Sequence, residues 1–262
     1  MSKILLIGTG RVAFHLGHAL KRPGHEIVGI AGRTVDHVRD LANKLGAPGL
    51  SRNDTLPQAD IILIAVSDDA IADVSMNIPI SDAVVIHTSG ASDLDRLLPH
   101  PDRAVLWPVM SLSPGEPMDF ERVPLVIDAN TERAHQVVKD LADSLSGHVL
   151  QLDHAQRELV HAAAAISLNF PMHLLARAQE LLGNHGIDPS VLAPSFVAMA
   201  QKASAIGASE ALTGPARRGD IGTIHHHLDR LTEDAELRAA YARLSSMILR
   251  AYGHPDHGYT DV

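Results

Sequence analysis

Six residues near the start of the chain have the types and spacing to hold a phosphate. Gly8-Thr9-Gly10-Arg11-Val12-Ala13 is a G-x-G-x-x-A that follows the apolar run Ile4–Ile7 and opens a helix-like stretch. The first glycine permits a tight turn. The second lets the backbone approach a pyrophosphate, and Ala13 keeps helix and strand close. The helix start adds free N–H groups and the positive end of a dipole. The alternative is a glycine turn with no ligand.

A dinucleotide site selects its ribose about 20 residues further on, where NAD-binding chains usually carry Asp or Glu. This chain reads Ile30-Ala31-Gly32-Arg33-Thr34, with no acid at the tip. Arg33 offers a guanidinium fork to a 2′-phosphate and Thr34 a hydroxyl, which predicts NADP rather than NAD. The alternative for Arg33 is a solvated surface residue. Asp36, the nearest acid, is placed to open the next helix. Ligands of parallel sheets sit at the carboxyl ends of strands. Two such ends are Ala65-Val66-Ser67-Asp68 and His87-Thr88-Ser89-Gly90-Ala91. Val66, Ser67, Thr88, Ser89 and Gly90 are therefore predicted cofactor contacts; Asp68 reads equally well as a helix cap.

Candidate chemistry recurs in the second half. His161, Ala165 and Asn169 are spaced i, i+4, i+8 and so lie along one helix face. A histidine there can donate a proton to an alkoxide formed by hydride addition; the other reading is a structural histidine in an Ala-rich interface. Thr213 to Asp220 is a loop-to-helix junction punctuated by Gly and Pro. In it Arg218 is the candidate carboxylate clamp. Asp220 orients His161 or Arg218, or caps the next helix, and Arg217 is expected to face solvent. His225-His226-His227 sit inside a predicted helix and point in different directions, so no metal site is predicted.

The elements that must position these residues change character once. Up to residue 151, strand-length apolar runs (Ile4–Ile7, Glu26–Ala31, Ile61–Val66, Ala83–His87, Ala104–Trp107, Leu125–Ile127, His148–Leu150) alternate with helix-like stretches. These stretches are Val12–Lys21, Val35–Leu45, Asp69–Met76, Asp93–Leu98 and Glu132–Leu145. Such alternation implies parallel βαβ units in a doubly wound α/β sheet. From residue 152 onward no strand-like run remains. His154–Leu182 is Ala- and Leu-rich and interrupted only by Pro171; Pro189–Gly207, Pro215–Leu231 and Ala235–Tyr252 follow. The predicted domains are 1–151 and an all-α 152–262, the latter ending in a polar, frayed tail from Gly253.

Composition narrows the classes. The chain has 262 residues and no cysteine. That excludes disulfides, thiolate nucleophiles and Cys-based metal sites. A net charge of −9 argues against broad capture of nucleic acid or anionic membrane. Aromatic residues at 3 % leave no base-stacking platform. Met1-Ser2-Lys3 runs into only four apolar residues before glycine, which is no signal peptide. No run of about 18 apolar residues is read, so no membrane helix and a cytoplasmic location are expected.

These motifs in this order resemble the 6-phosphogluconate-dehydrogenase-like reductases, which include pyrroline-5-carboxylate reductase, ketopantoate reductase and the β-hydroxyacid dehydrogenases. The closer resemblance is to predicted NADP-dependent oxidoreductases with a Rossmann-like domain and a C-terminal domain of formerly unknown function. It is carried by His87-Thr88-Ser89-Gly90-Ala91, by His161 to Ala165 leading to Asn169, and by Ala211-Leu212-Thr213-Gly214-Pro215. The last runs on to Arg218-Gly219-Asp220, Thr223 and His227-Leu228. It spans nearly the whole chain. The resemblance implies NADP as cofactor and hydride transfer in the cleft between the two domains. It also implies a homodimer through the helical domain, with neither nucleic acid nor membrane as partner. One departure matters: β-hydroxyacid dehydrogenases carry a catalytic lysine four residues before the asparagine, and Ala165 stands there. The expected activity is NADPH-dependent reduction of a small 2-oxo acid, ketopantoate first. The alternatives are a cyclic imine of the pyrroline-5-carboxylate type, a non-catalytic NADP-binding sensor, or a module for another dinucleotide.

Overall fold

The structure, a computed structural model, describes residues 1–51 and 54–255. The chain divides into two compact units, Met1–Asn169 and Phe170–Val262. Strands do stop at Gln151, where the sequence changes character. The first long helix after them nevertheless belongs with the sheet, so the division between compact units falls later than the 151/152 boundary expected from composition. The tail beyond Pro255 lies outside the described residues.

The first unit is a seven-stranded sheet in the order β2-β1-β3-β4-β5-β6-β7. Its strands are β1 (Lys3–Ile7), β2 (Glu26–Ala31), β3 (Ile61–Ile64), β4 (Val84–His87), β5 (Arg103–Pro108), β6 (Leu125–Ala129) and β7 (Val149–Gln151). Its helices are α1 (Arg11–Lys21), α2 (Val35–Leu45), α3 (Ile71–Met76), α4 (Glu132–Asp143) and α5 (His154–Ala164). Alternate residues of β1 bury on opposite faces. Ile4 and Leu6 join α1, α2 and α4, while Leu5 and Ile7 join α3. Burial on both faces is why these strands read as unbroken apolar runs. After α2, Gly49 makes a single parallel bridge to Ile30 outside β2, and only then does the chain cross back to β3.

One expectation is corrected. β1 to β5 are parallel, but β5 pairs with β6 antiparallel. A parallel return needs a crossover, usually a helix. Residues 109–124 contain none, so the chain turns straight back. The unit α4 between β6 and β7 then restores parallel pairing, in the reversed direction.

The second unit is helical: α6 (Phe170–Asn184), α7 (Ala193–Ile206), α8 (Ala208–Ala211), α9 (Pro215–Arg218), α10 (Ile221–Arg230) and α11 (Ala235–Ala251). Its core is Ala216, Ile224, Leu228, Ala242 and Leu249. The predicted helix 215–231 is broken in two. Gly219 takes φ +70° and ends α9. Asp220 then caps α10. Helices α6 and α7 contain no buried residue. The helical run His154–Asn184 contains an 18-residue window of mean hydropathy 1.4, long and apolar enough to cross a membrane by length and composition. This corrects the expectation of no such stretch, which missed it because His161, Ser167, Asn169, Pro171 and His173 interrupt its apolar residues. Its backbone passes through a π-helical turn at Ala165–Asn169, just ahead of Pro171, which has no N–H to donate.

Candidate functional site

The loop after β1 has the geometry of a dinucleotide cradle. Gly8 sits at φ +122°, and a Cβ there would lie 2.1 Å from the Ala65 carbonyl oxygen. The turn is therefore pressed against the end of β3, and its N–H bonds to Ala31 O at 2.8 Å. Gly10 is the opposite case. Its backbone is ordinary (φ −81°, ψ −173°), yet nothing lies within 4 Å of where a Cβ would be. The fold therefore does not require glycine at 10 and leaves the backbone there open to approach. Ala13 is fully buried, as close helix–strand packing requires. Arg11 is the first residue of α1, and Val12 packs against the core.

Arg33 and Thr34 lie exposed where β2 ends and α2 begins. Thr34 is the N-cap of α2 without a side-chain capping bond, so its hydroxyl is uncommitted. Among the described residues Arg33 forms no ion pair. A cavity of about 330 Å³ adjoins the loop, lined in part by Thr9, Gly10, Arg11, His37 and Ser113. Its far wall is pinned by a buried residue that sequence reasoning missed. His15 Nε2 donates to Ser113 O (2.8 Å) and Nδ1 accepts from Met118 N–H (3.1 Å). Those two partners assign the tautomer. His37 was missed as well: one turn beyond Thr34 on α2, it adds an imidazole to this wall. Both lie in helical patterns, where a histidine gives no local sign of what it faces.

The ends of β3 and β4 behave differently from each other. Val66 packs on the α3-side core, and Ser67 caps the turn at Asp68–Ala70 by backbone alone, leaving its hydroxyl exposed. Asp68 opens that turn. Thr88, Ser89 and Gly90 are buried. Ser89 Oγ accepts from Ala91 N–H and Ser92 N–H, so its oxygen shapes the turn and only its hydroxyl proton is free to donate. Gly90 is a close approach: a Cβ would fall 2.4 Å from Trp107 on β5. The Trp107 ring in turn meets His161 edge-on, with centroids 5.7 Å apart and planes at 75°. Thus His161, on α5, reaches the strand ends of the first unit. Asn169 is exposed in the π turn. Eight residues of ideal α-helix drift about 80°. A π turn takes up one extra residue and offsets that drift, keeping Asn169 on the His161 side.

Beneath this group lies His87, fully buried, whose Nδ1 accepts from Ser89 N–H at 3.2 Å. Burial, reinforced by the Arg157 charge, pushes its pKa down to about 3. The unfolded chain takes that proton near 6.5, so the folded state binds fewer protons between these values. Stability from neutral His87 is complete above pH ~6.5 and is lost as pH falls toward ~3, about 2 kcal/mol by pH 5. Urea midpoints at pH 7 and pH 5 should show a shallower loss for His87→Asn than for the wild type. Equal losses would place the pH dependence in other groups.

In the second unit, a cavity of about 490 Å³ is lined by Leu212, Thr213, Gly214, Arg217, Arg218 and His254. Two expectations are corrected here. Arg217 does not simply face solvent. Its guanidinium lies 3.8 Å from the centre of the Tyr252 ring, and its carbonyl accepts from His254 Nε2. Arg218, expected as a buried fork, is exposed at the cavity rim. Asp220 is a cap: its carboxylate accepts from Thr223 N–H (3.1 Å) and Oγ1 (2.7 Å), bonds that hold its pKa below the usual carboxylate range. His227 Nδ1 is engaged with the Tyr241 hydroxyl.

Comparison with known proteins now decides the family. Residues 3–90 match the profile for NADP oxidoreductase coenzyme F420-dependent proteins, and residues 123–248 match a domain of unknown function, DUF2520. No curated protein sequence matches. A Bacteroides fragilis protein, provisionally named an NADP oxidoreductase, is 30 % identical over 95 % of this chain and 98 % of its own, with a TM-score of 0.87. The chain belongs to this NADP oxidoreductase family. Its fold is shared more widely. 1-Pyrroline-5-carboxylate reductase from Streptococcus pyogenes superposes with a TM-score of 0.65 at 18 % identity, covering 95 % of this chain and 98 % of that one. An imine reductase from Pseudomonas sp. gives 0.64 at 18 %, covering 99 % and 97 %. An NAD(P)-dependent oxidoreductase requires a dinucleotide cradle, and in this oxidoreductase the open approach at Gly10 fits one.

Proposed function

We propose that the protein is an NADPH-dependent reductase of a small 2-oxo acid of the ketopantoate type. The observation that carries the reading is the Gly10 cradle, flanked by the uncommitted Arg33 and Thr34 on one side and Ser67 on another. Arg33 would pair with a 2′-phosphate, Thr34 would donate to it, and the α1 N-terminus would face the pyrophosphate. When bound, the cofactor supplies a hydride. The chain's part is to orient the acceptor carbon, exclude water and complete the proton balance. A ring N–H of His161 donates to the substrate oxygen as that oxygen gains charge. The second reading, a cyclic imine, is favoured by the fold shared with the pyrroline-5-carboxylate and imine reductases.

Titration of Trp107 emission with NADPH and NADH tests the first part. NADPH is expected to bind at least about tenfold more tightly, and Arg33→Ala to lose most of that preference by weakening NADPH alone, as loss of one charge-assisted fork implies. Equal affinities, unchanged by Arg33→Ala, would remove the 2′-phosphate site. Turnover of 2-oxo acids against cyclic imines then separates the two substrate classes, and turnover of neither would leave a binding protein.

A further inference from the structure

Arg157 is a buried cation that the chemistry described so far does not use. Its side chain is 0 % exposed. From α5, Nη1 donates to Ser92 O (2.7 Å) and Gly90 O (3.3 Å), and Nη2 donates to the Asp128 carboxylate on β6 (3.2 Å). Its Nε is buried without a partner. A guanidinium is withdrawn from water only where its donors are met, and here three bonds reach two separate elements of the first unit. A packing role alone would be met by an apolar side chain of the same length.

The contacts close into a ring. Arg157 grips the carbonyl of Gly90. Gly90 offers the bare backbone on which Trp107 rests, with no room for a Cβ. Trp107 meets His161 edge-on. His161 is four residues after Arg157 on the same helix, hence one turn away on the same face. Leu152 and Val160, half-buried, pack against the cluster of Val105, Trp107 and Val126, and His161 stands exposed at its edge. Every member belongs to Met1–Asn169.

We propose that Arg157, neutralised by Asp128, is a positioning residue that fixes the 88–92 turn and the His161 ring as one rigid piece. The inference rests on the reading of His161 as proton donor. Arg157 touches neither substrate nor cofactor; it sets where the proton stands relative to the strand end that holds the reacting group. A displacement of about 1 Å in such a constellation costs on the order of 100-fold in rate.

Two variants keep the test open if one fails to fold. Arg157→Lys keeps the charge but has no fork to span three acceptors. Asp128→Asn keeps an acceptor of the same shape and removes the counter-charge. Each is measured for thermal midpoint, NADPH Kd, kcat and KM. The His161 Cε1–H resonance, assigned by its loss in His161→Gln, reports the ring current of Trp107. In folded Arg157→Lys, kcat is expected to fall about 10- to 100-fold while Kd and KM stay within about threefold. The His161 resonance should move toward its position in unfolded chain. A folded variant with an unmoved resonance, or with kcat within about twofold of wild type, overturns the proposal. So does a uniform loss of kcat and cofactor binding that tracks the unfolded fraction. If the wild-type protein reduces no substrate, the His161 reading fails by itself, and the resonance alone decides whether Arg157 positions the ring.

Discussion

Alanine at Gly10 is expected to leave the fold intact and to abolish dinucleotide binding, while alanine at Gly8 is expected to unfold the cofactor edge of the sheet. The two glycines are two residues apart and fail for opposite reasons. At Gly8 the backbone occupies φ +122°, where an L side chain is strained, and the added methyl would meet a backbone carbonyl at 2.1 Å. Strain of about 1–3 kcal/mol adds to a clash of similar size, because neither the Gly8 turn nor Ala65 at the end of β3 can swing aside. At roughly 2–4 °C per kcal/mol, the melting temperature should drop by about 10–20 °C. At Gly10 the backbone is one that any residue adopts and the space is open, so stability should change by less than about 0.5 kcal/mol. That methyl would instead stand where a pyrophosphate must approach, and NADPH affinity should fall by about 100-fold or more. Calorimetric melting and NADPH titration of both variants check the pair. Normal binding by Gly10→Ala would place the dinucleotide elsewhere on the protein.

Gly8 and Ala13 were legible because each performs a local structural task that its own type reveals, the turn at Gly8 and close packing at Ala13. The inner strands β1, β3, β4 and β5 were legible for a similar reason: segments buried on both faces must be apolar with little interruption. What the sequence concealed depends on distance or on competition between local signals. The turn back from β5 to β6 follows from the lack of a helix in 109–124, which alternation elsewhere masks. Arg157 and Asp128 are 29 positions apart, and nothing near either residue announces the other. Asp220 carried two signals at once, a charged residue beside an arginine and an N-cap three residues before Thr223. The hydrogen bonds from Thr223 decide for the cap. Trp107 read only as the end of a strand. Its place between Gly90 and His161 emerges only when β4, β5 and α5 are brought together.

Replacing His161 with glutamine should lower kcat for a 2-oxo acid by about 100- to 1000-fold, within the range for loss of a general acid. NADPH affinity should stay within about twofold, since His161 meets Trp107 rather than the glycine loop or Arg33. The balance of the step explains the asymmetry. Hydride adds to the carbonyl carbon, the C=O π pair moves to oxygen, and that oxygen must take a proton to leave as hydroxyl. Ala165 stands where related dehydrogenases place a lysine, so the adjacent turn provides no other donor on this face. Glutamine fills similar volume and still offers an N–H, but cannot release its proton. A cyclic imine basic enough to enter protonated, as the iminium, takes hydride at carbon and becomes the neutral amine directly, with no proton needed at that step. The same variant should therefore reduce a cyclic imine almost as fast as the wild type. Pre-steady-state reduction of both substrate classes by wild type and His161→Gln separates the cases. A large loss for the oxo acid alone marks His161 as its acid, and an unchanged rate for an oxo acid that the wild type turns over would return His161 to a packing role against Trp107.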